Sequence, residues 1–192
     1  MVVREPMNYS LEITKSLVPK HLKSLGYSEL KRSYSTDTIL NIEGRWYSTK
    51  AIGGTNLKGK PYPIEVFLKN DYALSDGLII KTSIRNTSGS SDMKAFGYYD
   101  DLTLQSTPSI LVLGGELMSH EVLEALRARA DRDDFNVQVM TLEELYVFLN
   151  SANLPDTSKS SKSYSSSPCI HCQDLSKIID DLQKLITSME SR

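Results

Sequence analysis

The 192 residues, 40% of them hydrophobic, suffice for one ordinary core plus a tail, and a formal charge of -2 supplies no global basic field for nucleic acid. Any DNA contact must therefore use a local patch. No apolar run approaches the roughly 20 residues that span a bilayer, and the start MVVREPMNYS lacks a signal-peptide core, so a soluble protein, cytoplasmic or in another intracellular compartment and without a membrane partner, is expected.

In chain order, Leu11, Leu17, Val18, Leu22 and Leu25 recur at roughly helical spacing, with Pro19 inside and Gly26 as the stop. One interrupted helix or two short ones are predicted. From Thr38 the texture turns to β: ILNIEGRWYSTKAI and YPIEVFLKND read as antiparallel strands joined by the loop GGTNLKGKP, and GLIIKTSIR completes a β-meander. The polar turn NTSGSSDMK then leads into a helix. SILVLGG, Ser109–Gly115, is a continuous apolar run of the kind a doubly covered strand shows. Ser119 caps a helix with Val122, Leu123, Leu126 and Ala130 on one face, NVQVMT is a short strand, and Thr141 opens TLEE, a capping box before LEELYVFLN.

A folded domain over residues 1–150 is expected to end near Asn150. Residues 151–168 are Ser/Lys-rich with little to bury, as in a flexible linker. Residues 169–192 open with CIHC and continue with Leu175, Leu182 and Met189 spaced by seven and Ile178 and Leu185 between them, a short coiled-coil-like helix that favours a homo-oligomer through residues 174–190. The alternative is a helix docked on the body. Cys169 and Cys172, with His171, supply half of a Zn²⁺ site that an oligomer would have to complete; free thiols are the alternative. His21 and His120 share no spacing with His171, so the histidines read as surface or capping residues. GGTNLKGK lacks the spacing and final hydroxyl of a P-loop, although Lys58 and Lys60 could touch phosphate.

The meander, the strand running into NTSGSSDMK (Asn86–Lys94), the strand ending in LVLGG (Leu111–Gly115) and the LEEL helix together resemble the PD-(D/E)XK nuclease superfamily of the type II restriction-endonuclease kind, over roughly Leu11 to Leu149. The resemblance implies an α/β fold with a restriction-endonuclease-like core, its mixed central sheet (β-meander then βαβα) flanked by helices, plus a C-terminal helical tail. It also implies an endonuclease that hydrolyses double-stranded DNA with Mg²⁺. Two carboxylates on adjacent strands would hold the cation, which activates a water while a lysine steadies the developing charge.

Carried over by position, Glu65 stands for the first acid, with Ile64 after Pro63 where an aspartate is usual. Lys81 occupies the place of the second acid, Ser83 that of the lysine, and Arg85 that of a common glutamine. Ser88, Gly89, Ser90 and Lys94 match the turn and helix start, so Arg85, Ser88, Ser90 and Lys94 are the expected DNA contacts. An active enzyme would need Glu65 and Asp76 as metal ligands and Lys81 or Lys94 as the catalytic cation. Asp71, Glu12 and Glu43 are further substitutes for the lost acid, though Asp71 and Asp76 also suit a turn. The second reading is a catalytically silent relative, a DNA-binding or assembly subunit. Arg45, Lys50, Lys58, Lys60, Lys69, Lys81, Arg85 and Lys94 concentrate positive charge in the meander and turn, whereas the later half is acidic, as one nucleic-acid face would require. Trp46 and Tyr47 read as core rather than as a stacking platform.

Overall fold

A computed structural model describes residues 13–84, 91–115, 118–133 and 136–151, with backbone alone at 91 and 92. The interrupted first helix appears as one π-helical turn, Ile13–Leu17, running into α1 (Val18–Ser24). Pro19 sits in the first turn of α1, where an amide hydrogen has no helical partner to lose, and Gly26 ends the segment at φ +85°.

Eight strands follow in chain order: β1 (Ser28–Glu29), β2 (Arg45–Ser48), β3 (Ile52–Thr55), β4 (Pro61–Pro63), β5 (Val66–Asn70), β6 (Leu74–Ile84), β7 (Ser109–Gly114) and β8 (Val137–Met140). They interleave with α2 (Thr36–Leu40), α3 (Ser91–Thr103), α4 (His120–Asp133) and α5 (Leu142–Ser151). Six strands form one mixed sheet in the order β1-β2-β5-β6-β7-β8; β2, β5 and β6 are antiparallel, and β6, β7 and β8 are parallel. The expected α/β class with meander and βαβα halves is therefore present.

Three features differ from the sequence expectation. GGTNLKGKP is not a plain loop: it lies within a separate two-stranded hairpin, β3 with β4. ILN belongs not to a strand but to the end of α2, which Ser35 caps by accepting from the Thr38 amide at 3.2 Å. His21, expected in a surface or capping role, is 7% exposed and meets the Tyr146 ring edge-on with centroids 4.7 Å apart.

Side-chain alternation on β6 and β7 builds a core on each face of the sheet. Ile79, Leu111 and Leu113 pack with Ala95, Tyr99 and Leu102 of α3 and with Val122 and Leu126 of α4. On the other face, Leu78, Ile80, Ile110 and Val112 meet Val18 and Leu22 of α1 and Leu145 and Leu149 of α5. Double coverage explains why SILVLG has no polar alternation. The capping box holds α5: Thr141 N donates to Glu144 Oε2 at 2.7 Å, and Glu144 N to Thr141 Oγ1 at 3.3 Å.

At the β8 edge of the sheet, Arg127 of α4 donates from Nε to the Val139 carbonyl at 3.4 Å and pairs with Glu144 at 2.5 Å. Among the described residues no helix is long and apolar enough to cross a membrane.

Candidate functional site

Because β5 and β6 are antiparallel, the start of one lies beside the late half of the other. Val66 pairs with Ile80, so the next step of the register sets Glu65 beside Lys81. Lys81 Nζ lies 2.5 Å from Glu65 Oε1, and the second carboxylate oxygen accepts from Thr82 N at 3.0 Å and from Thr82 Oγ1 at 3.2 Å. Glu65 thus extends the strand ladder with a side-chain acceptor. The pair is sheltered, the Lys81 side chain being 13% and the Glu65 side chain 26% exposed.

Helix α3 covers this pair. Lys94, Tyr98 and Asp101 follow at spacings of four and three, which places them on one helical stripe. The Tyr98 ring lies under Lys81, with Nζ 4.3 Å from its centroid, so the ammonium has a carboxylate on one side and a π-face on another. Lys94, one turn nearer the helix start, is exposed. The buried Tyr62 hydroxyl adds to the setting: burial first, then the negative charges of Glu65 and Asp101, push its pKa upward, so it stays a neutral O–H. Ser83, two residues beyond Lys81 on the same strand face, is buried.

The predicted residues separate in space. Glu65 and Lys81 come together. Asp76 is exposed, five residues back along β6, a strand distance of about 16 Å from Lys81, and it is not brought to Glu65. Asp71 is occupied elsewhere: it binds Lys69 Nζ and the Gly44 amide, each at 2.5 Å, and Lys69 foremost, then that amide, lowers its pKa. Lys69 is itself buried and donates to the Ile42 carbonyl at 2.6 Å, which removes it from any DNA face. Glu43 is exposed, and its carbonyl accepts from Trp46 Nε1 at 2.6 Å; Tyr47 is fully buried, in keeping with core. Arg85, Ser88 and Ser90, together with Glu12, Cys169, Cys172 and the 174–190 heptads, lie outside the described residues.

A hard divalent cation takes about six oxygen ligands, most of its charge balance coming from carboxylates. Where the start of β5 meets the late half of β6, both oxygens of Glu65 are already engaged and an ammonium stands at the second acid position. Among the described residues no group of three or more His, Cys, Asp or Glu converges. This donor set does not fit Mg²⁺. It suits instead the holding of a fixed positive charge between two central strands. Tyr98 and Tyr62 were not singled out in the sequence; the spacing of Tyr98 four residues after Lys94 and of Tyr62 three before Glu65 was the available signal.

A family model described as a PD-(D/E)XK nuclease superfamily domain matches residues 8–153. No curated protein and no solved structure matches the chain.

Proposed function

Starting from the premise that the chain belongs to the PD-(D/E)XK nuclease superfamily, we propose that it binds double-stranded DNA without hydrolysing it, keeping the nuclease fold as a binding or assembly subunit. One observation carries the reading: the ion pair between Lys81 and Glu65 fills the position at which two carboxylates would share a metal. Phosphate would be met by exposed Lys94, and Arg85, Ser88 and Ser90, which lie outside the described residues, are the further contacts expected from the sequence. The competing reading, a restriction-type Mg²⁺-dependent endonuclease, has Glu65 at the strand end but finds Asp76 far down β6.

Calorimetric titration of the purified chain with Mg²⁺ and with Mn²⁺, alongside incubation with mixed duplex DNA, tests the proposal. The expected outcome is duplex binding that weakens with salt, no saturable heat from either cation, and intact DNA. Cleavage that requires a divalent cation and disappears in Glu65→Ala would establish the endonuclease instead. A reversion gives the positive control: Lys81→Glu with Ser83→Lys restores the acid-x-lysine pattern, and heat of divalent binding should appear where the parent shows none.

A further inference from the structure

The β3–β4 hairpin stands outside the six-stranded sheet, yet its tip is firmly built. Asn56 N donates to the Lys60 carbonyl at 2.9 Å, and Gly59 N to the Asn56 carbonyl at 2.8 Å. The Asn56 side-chain oxygen accepts from Lys58 N at 2.9 Å and Lys60 N at 3.1 Å, and Gly59 adopts φ +69°, which a side chain would oppose. Four hydrogen bonds therefore fix five residues. The hairpin is also strapped to α3 and the residues after it: Leu57 N donates to Asp101 at 2.9 Å, Gly54 N to the Gln105 side chain at 2.9 Å, and that side chain in turn to the Thr55 carbonyl at 3.0 Å. Gly53 permits the approach, because a Cβ there would stand 2.7 Å from Gln105 Oε1. At the base, Tyr62 and Ile64 are buried in the core.

What this rigid tip presents is specific. Leu57 is 61% exposed, and Lys58 and Lys60, close to it, are exposed as well. A single exposed leucine is ordinary on a surface. An exposed leucine followed by two exposed cations within three residues, on a tip that seven hydrogen bonds hold in place, is a different object. The cations would meet phosphates, and the apolar side chain would find its partner in the stacked bases between them. The Asp101 carboxylate nearest the tip accepts the Leu57 amide, so one local negative charge is already engaged.

We propose that the β3–β4 tip is a groove probe for duplex DNA, in which Lys58 and Lys60 neutralise phosphates and Leu57 wedges against a base step in the minor groove. The inference rests on the DNA-binding reading above and goes beyond it by naming the element, the groove and the deformation. Side chains at Leu57, Lys58 and Lys60 carry no core packing, so their replacement leaves the fold intact.

The experiment uses the full chain and an end-labelled duplex of about 25 base pairs, with binding read by anisotropy across a salt series and bending by energy transfer between the ends. Lys58→Gln with Lys60→Gln should lower the slope of log K against log salt by about 2. Leu57→Ala should leave that slope unchanged, weaken binding roughly tenfold and reduce the bend. The groove probe is overturned if the double lysine variant keeps the parent slope, or if Leu57→Ala binds and bends like the parent. A parent chain that binds no duplex at any salt overturns the DNA-binding reading and the probe with it, so the two failures are told apart by the parent alone.

Discussion

A lysine at the position of an expected acid replaces a bound cation with a covalent one. Lys81 places its ammonium 2.5 Å from Glu65 and over the Tyr98 ring, so the positive charge beside the carboxylate no longer depends on the solution. The exchange of charge sign at Lys81 was legible in the sequence, because it follows from the position of Lys81 relative to the turn. Its consequence was not, since pairing with Glu65 depends on the β5–β6 register, and Tyr98 arrives from a helix more than ten residues downstream. A double-mutant cycle on Lys81→Met and Glu65→Gln should give a coupling of about 1–2 kcal/mol in urea unfolding. Methionine keeps the stem packed against Tyr98, so the cycle isolates the charge. Additive losses would show that the pair is no more than a surface ion pair.

At the level of elements, length and punctuation make a segment legible in the sequence. Helices α4 and α5 and strand β7 carry either a clear apolar face or an unbroken apolar run, and each has a cap or a glycine stop to mark it. By contrast β1 spans two residues and α2 five, too short for any periodicity to emerge, and the hairpin hid because glycine and proline read as loop signals wherever they fall. The capping box of α5 makes a quantitative case. The Thr141 amide foremost, against a smaller opposing effect of burial and with help from Arg127, lowers the Glu144 pKa. A carboxylate with a depressed folded pKa contributes stability that is full above its ordinary unfolded value and is lost as pH falls through the folded one. Thr141→Ala should cost about 1 kcal/mol at neutral pH. Glu144→Gln should lose stability at neutral pH and show a flatter acid limb than the parent, which thermal melts between pH 7 and pH 3 would reveal. An unchanged acid limb would mean that the charge of Glu144 adds nothing to the cap.

On the scale of the whole molecule, the sheet's ends receive unequal treatment. β1 pairs over only two residues, whereas β8 offers four and is crossed by Arg127. Register sets Ser109, Leu111 and their neighbours against β8 on one side, while the opposite side of β8 has no strand partner among the described residues. A guanidinium that reaches the Val139 carbonyl and is held there by Glu144 occupies one acceptor of that edge. Arg127 therefore supports the Glu144 cap and, as a charge held at an open strand edge, is expected to discourage pairing between copies. Arg127→Ala should melt within a few degrees of the parent yet scatter light sooner and bind thioflavin when held concentrated near its melting midpoint. A variant that stays clear as long as the parent would remove that duty from Arg127. On that account the same charged side chain would raise the concentration at which copies of this chain stay separate, which the light-scattering comparison reads directly.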